Sequence, residues 1–150
     1  MEGPDRLRCR LGRPAAFRVS FVATAVTVLV DTSVLIDYLR GHPDAATVLE
    51  RERAGGPLQA SEITRIEVLA GMRADEEEAT RSLLATLVWH PVDADVAEGA
   101  GALGRRWLAS HHTIDSADLA IAATVMRTGT RLLTRNVRHF PMFPGLRAPY

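Results

Sequence analysis

The chain has 150 residues, 47% of them hydrophobic, with 18 basic and 18 acidic side chains and so no net charge. That is one domain's length with enough apolar material for a real core, and no global charge points to nucleic acid. Every basic residue is arginine: the absence of lysine excludes a Walker phosphate loop and Schiff-base or pyridoxal chemistry, while the single Cys9 excludes an intrachain disulfide and a multi-cysteine zinc site.

Residues 1–25 carry five arginines (Arg6, Arg8, Arg10, Arg13, Arg18) and no hydrophobic period. An apolar run, Val19 to Val30, follows. A basic start and an apolar run imitate a secretory signal, but the run is too short to span a bilayer as a helix and leads straight into Asp31-Thr32-Ser33. We read residues 1–25 as a disordered extension or a mis-assigned start, and residues 26–150 as the domain. Val26 to Val30 is β-branched and short, a buried strand. Ser33 to Arg40 reads as a helix stopped by Gly41, and Pro43 to Arg53 as a second, closed by Gly55-Gly56-Pro57. Leu58 to Ala60 is a short strand. Thr64 to Arg73 is a helix with Ile66, Leu69 and Ala70 on one side, and Glu76 to Leu87 is an amphipathic helix with an acidic first turn. Val88 to Val92 is a strand, Asp93 to Ser110 a longer helix, Ser116 to Arg127 an alanine-rich buried helix capped by Ser116 or Asp115, and Leu132 to Thr134 a last strand. Alternating strands and helices predict an α/β fold with a mostly parallel sheet and helices on both faces. Such sheets bind ligands at the carboxyl ends of their strands.

Three acids stand where apolar segments end or a helix begins. Asp31 follows the first strand; it is a site residue or a helix cap, a place Thr32 or Ser33 could fill instead. Glu67, inside Ile66-Glu67-Val68-Leu69-Ala70-Gly71, falls near the apolar stripe of its helix; the alternative is a surface pair with Arg65 or Arg73, neither at the favoured spacing of four. Asp118 opens the most hydrophobic helix one turn after Asp115, and the helix dipole explains one acid there more comfortably than two. Asn136, after the last strand, is a ligand-side amide or a turn residue. Acids in apolar surroundings are costly unless compensated, and oxygen donors favour hard cations such as Mg²⁺ or Mn²⁺. The set therefore points to metal-assisted phosphodiester chemistry.

Other signals are weaker. Gly99-Ala100-Gly101-Ala102-Leu103-Gly104 spells the dinucleotide-binding glycine pattern, but it lies inside a predicted helix instead of following a strand. The five histidines show no HExxH spacing, and each reads as a lone polar residue. No nucleophile elbow is present.

Taken together, Val28-Leu29-Val30-Asp31-Thr32-Ser33-Val34-Leu35-Ile36-Asp37, Ile66-Glu67-Val68-Leu69-Ala70-Gly71, Ile114-Asp115-Ser116-Ala117-Asp118-Leu119-Ala120-Ile121-Ala122-Ala123 and Leu133-Thr134-Arg135-Asn136-Val137-Arg138-His139-Phe140 resemble, in order and spacing from about Val26 to Tyr150, the PIN-domain family and within it the VapC toxins of bacterial toxin–antitoxin pairs. The resemblance implies a PIN-like three-layer sandwich. It implies a cytoplasmic Mg²⁺- or Mn²⁺-dependent endoribonuclease with RNA as substrate, a cognate antitoxin as partner, a homodimer as assembly and no membrane association. Asp31, Glu67 and Asp118 match the family's acidic cluster. Asn136 stands where many members carry a fourth acid, and Asp115 could supply part of that charge. Ser33 and Thr134 are candidates to orient a carboxylate or water, and Arg65, Arg73, Arg135 and Arg138 to contact RNA phosphates. The alternatives are a catalytically inactive PIN-like binding module and, more distantly, a dinucleotide-dependent oxidoreductase.

Overall fold

The computed structural model describes residues 26–150; the readings placed on residues 1–25 lie outside them. Four strands form one parallel sheet: β1 (Val28–Val30), β2 (Gln59–Ser61), β3 (Val88–His90) and β4 (Arg131–Leu133), in the order β3-β2-β1-β4. The register pairs Leu29 with Gln59 and with Leu132. Between them run α1 (Thr32–Leu39), α2 (Pro43–Ala54), α3 (Glu62–Gly71), α4 (Glu77–Leu84), α5 (Ala94–Trp107) and α6 (Ser116–Thr128), with short 3-10 turns at Ala74–Glu76 and Val137–His139.

Every residue of β1 is buried, because a parallel strand covered on both faces has no polar side. Its side chains alternate between two cores. Val28 and Val30, with Leu133 and Ala60, face α1, α2 and α4 through Val34, Leu35, Val48, Leu49, Leu83 and Leu84. Leu29 and Leu132 face Ile121, Ala122 and Val125 of α6, and Phe140 after β4. The expected three layers are present, with α5 packed outside α6.

The eight residues from Asp118 to Val125 are all buried, as a helix enclosed on every side must be. Asp115 and Asp118 close its N-terminus as a reciprocal capping box: each carboxylate accepts from the other's backbone N–H, at 2.9 and 3.1 Å. Gly129, left-handed at φ 66°, closes the other end.

Two expectations need correction. In α3 the buried residues are Thr64 and Val68, whereas Ile66 is 62% exposed and Ala70 is also exposed. The helix begins at Glu62, capped by Ser61, and its inner face follows the Thr64–Val68 spacing of four. The glycine pattern lies wholly within α5 and serves packing. A Cβ at Gly104 would come within 3.2 Å of Leu119 and one at Gly99 within 3.4 Å of Ala123, so these glycines let α5 approach α6. No strand turns into a helix there, and the dinucleotide reading falls. Elsewhere the bounds shift by a few residues: β3 ends at His90 and α4 at Leu84.

Candidate active site

The strand order makes the geometry. From β1 the chain goes to β2 on one side, and from β3 it returns to β4 on the other. The carboxyl ends of β1 and β4 thus lie side by side while their following segments diverge, which opens a crevice there. Asp31 leaves β1 at that point, its N–H bonded to the Leu133 carbonyl of β4 at 2.9 Å. Asp31 is also the N-cap residue of α1, yet its side chain makes no cap bond. Its Oδ2 instead accepts from the hydroxyls of Ser33 and Thr134, each at 2.7 Å. Asp31 is only 4% exposed. A capping aspartate would spend its oxygen on the helix N–H groups; this one is turned away from them and held by two hydroxyls.

Glu67, on α3, reaches the same crevice and accepts a short hydrogen bond from Thr32. Burial raises its pKa, Thr32 opposes the rise, and the charges of Asp31 and Asp115 add to it. Asp118, 8% exposed, is pushed up to about 6 by burial and by Asp115 and Asp31, against the Asp115 N–H and His139, which favour its charge. His139 Nδ1 lies 3.0 Å from Asp118 Oδ2. The electrostatic couplings join four acids: Asp31 acts on Glu67 and Asp118, and Asp115 acts on both of these too. Asp115 itself is exposed.

Asp31, Glu67 and Asp118 share one pattern. One oxygen is held by protein donors, and the other has no protein hydrogen bond among the described residues. Among these residues, no three acidic or histidine side chains are drawn together at ligand spacing. An open set of oxygens that repel one another suits Mg²⁺, which keeps several of its waters and takes only one or two carboxylates directly. In the donor set and its unneutralised charge, the residues fit a hard divalent cation.

The remaining sequence candidates divide. Ser33 and Thr134 hold Asp31, and Thr134 also accepts from the Asn136 N–H at 3.0 Å. Asn136 enters through its backbone; its side chain makes no hydrogen bond among the described residues. Arg65 is committed to Glu62 and lies 4.1 Å over the Trp89 ring, Arg73 pairs with Glu76, and Arg135 pairs with Asp37 at 2.6 Å. Arg138 is exposed and makes no ion pair among the described residues. Sequence reading missed Thr32 and His139 as partners of the acids; Thr32 follows Asp31 directly after β1, and His139 ends the 3-10 turn that follows β4, and neither position carries more than a polar side chain as a signal.

Comparison with known proteins agrees with the fold. The PIN domain model matches residues 28–143. Ribonuclease VapC19 of Mycobacterium tuberculosis is 46% identical over 123 residues, 81% of this chain and 98% of that protein. Ribonuclease VapC10 of the same organism is 40% identical, over 82% of this chain and 92% of its own length. Among solved structures, a chain of a toxin–antitoxin complex from Klebsiella pneumoniae superposes with a TM-score of 0.70 at 32% identity, covering 83% of this chain and 98% of that one. On the match over residues 28–143 and the 46% identical relative, this chain is a member of the PIN-domain family.

Proposed function

We propose that this protein is a divalent-cation-dependent endoribonuclease, acting as the toxin of a toxin–antitoxin pair. The observation that carries the reading is the buried Asp31 carboxylate, refused as a helix cap and held by Ser33 and Thr134 beside Glu67, Asp115 and Asp118. Its relatives are named ribonucleases, and a 32% identical chain was solved in a toxin–antitoxin complex. The partner is then a cognate antitoxin, the assembly a homodimer and the place of action the cytoplasm. No helix among the described residues is long and apolar enough to cross a membrane.

Asp31, Glu67 and Asp118 would hold Mg²⁺ or Mn²⁺, with Asp115 adding charge from the rim. The bound cation supplies Lewis acidity, lowering the pKa of coordinated water and offsetting charge that develops on the phosphate. The protein's own part is orientation and sign. Ser33 and Thr134 fix the Asp31 carboxylate, and Thr32 fixes Glu67, so neither must reorganise during the reaction. His139 restrains Asp118. Without a cation the four acids repel an RNA phosphate; Arg138, next to His139 in the turn after β4 and without an ion pair among the described residues, would offset that at longer range. Arg65, Arg73 and Arg135 would first have to release their carboxylates.

Isothermal titration distinguishes this from the alternatives. Saturable Mn²⁺ binding that Asp31→Asn weakens is expected, with no NAD binding. A protein that ignores Mn²⁺ while folded would overturn the proposal.

A further inference from the structure

The end of α5 carries an aromatic and cationic cluster that the carboxylate site does not use. Trp107, half-buried in the last turn, meets the His111 ring edge-on, with centroids 5.2 Å apart and planes at 71°. The Arg106 guanidinium lies 5.3 Å from the indole centroid. Ser110 Oγ holds His111 Nδ1 at 2.8 Å, which fixes the imidazole. Arg105 and Arg106 are exposed, and neither makes an ion pair among the described residues. Leu108, beside them, is 43% exposed.

The cluster is tied to the acids by backbone. His111 N–H donates to the Trp107 carbonyl at 3.0 Å, and Ile114 N–H to the His111 carbonyl at 3.4 Å. Ile114 is buried, and the next residue is Asp115. Two successive turns thus link the indole to the first acid of α6, and four residues from His111 to Asp115 cannot span more than about 14 Å. The close approach of Gly104 to Leu119 brings the ends of the two helices together.

We propose that Trp107, flanked by Arg106 and His111, is a subsite that stacks an unpaired base of the RNA beside the scissile phosphate, and so selects single-stranded substrate. This rests on the ribonuclease reading. The chemistry fits: single-stranded RNA is held by stacking on aromatic and guanidinium planes, with cations following the backbone. Arg105 and Arg106 offer that charge without first breaking an ion pair, unlike Arg65, Arg73 and Arg135. A paired base has no free face to offer, so duplex RNA gains nothing from the indole.

The test uses the Asp31→Asn protein with Mg²⁺, so that RNA is not consumed. An unstructured single-stranded RNA oligonucleotide is titrated, then the same strand annealed to its complement. The single strand quenches tryptophan emission and the duplex does not; adding Trp107→Phe abolishes the quenching while affinity stays within about three-fold. Trp107→Ala weakens single-strand binding by about ten-fold or more, in line with the loss of one stacked base. Quenching that survives Trp107→Phe, or equal affinity of the Trp107→Ala and parent proteins, overturns the subsite while RNA binding stands. Failure of the wild-type protein, with Mg²⁺, to bind or cut the single strand overturns both the subsite and the ribonuclease reading.

Discussion

Asp118→Asn should stabilise the protein without metal, and by an amount that depends on pH. Asp118 is pushed from the usual 3.8 up to about 6, by burial first and by neighbouring carboxylates next. The folded state therefore keeps this proton longer than the unfolded chain does. Stability from the group is full below the unfolded value and is lost as pH rises through about 6. A carboxyl raised that far costs the folded protein about 3 kcal/mol to charge once the pH is well above it. Unfolded chains already release the proton by about pH 5, so about half the cost is present there. Asparagine keeps an oxygen for the Asp115 N–H and faces His139 without charge. In urea melts with EDTA, the variant should exceed wild type by about 2–3 kcal/mol at about pH 8 and by about half that at about pH 5. Mn²⁺ in large excess should reverse the order: a cation at about one thousand times its Kd adds about 4.1 kcal/mol to wild type, and the variant lacks a ligand. A variant less stable than wild type at alkaline pH in EDTA, or one whose advantage ignores pH, would refute the electrostatic reasoning.

Thr134→Val should destabilise by about 1–3 kcal/mol, since the buried Thr134 hydroxyl serves both Asp31 and the Asn136 N–H; thermal melts measure it, and RNA cleavage should fall with it. Gly101→Ala should be silent in activity and stabilising by about 0.5–1 kcal/mol, because a Cβ there meets only the end of Arg105 at 3.9 Å. Gly104→Val should cost about 1–3 kcal/mol in the same melts, because its Cβ would already crowd Leu119 and Leu108. Tyr150→Phe should cost about 0.5–1.5 kcal/mol and let Asp37 titrate higher by NMR, since the phenol and Arg135 outweigh burial in holding that carboxyl low. A chain beginning at Val26 should still melt cooperatively, since both core clusters and both strand pairings of β1 are built from residues 28–150.

How far the sequence could be read depended on whether its signals were local. The β1 strand and the Asp31 that follows it were legible because three apolar residues end abruptly in a carboxylate. The helix read as Ser116 to Arg127, observed over Ser116–Thr128, was legible because its cap and its apolar run agree. The inner face of α3 was not, since Ile66 and Leu69 outweigh Thr64 on any apolar scale while the fold buries Thr64 and exposes Ile66. That choice depends on where Ser61 caps the helix, and so on the register of β2. Pairings such as Thr32 with Glu67 and His139 with Asp118 span 35 and 21 residues and exist only once the sheet has formed. The same is true of the ion pair between Arg135 and Asp37, which spans 98 residues, whereas Arg65 and Arg73 pair locally, with Glu62 and Glu76 three residues away.

Cleavage of a single-stranded RNA by the purified protein, with Mg²⁺ or Mn²⁺ and with EDTA, beside Asp31→Asn under the same conditions, tests the central claim most directly. The expected result is cation-dependent internal cleavage by the natural chain and a loss of several orders of magnitude in the variant, which should melt no lower than wild type. Cleavage that persists in EDTA, or an Asp31→Asn protein that cuts RNA at the full rate, would contradict it.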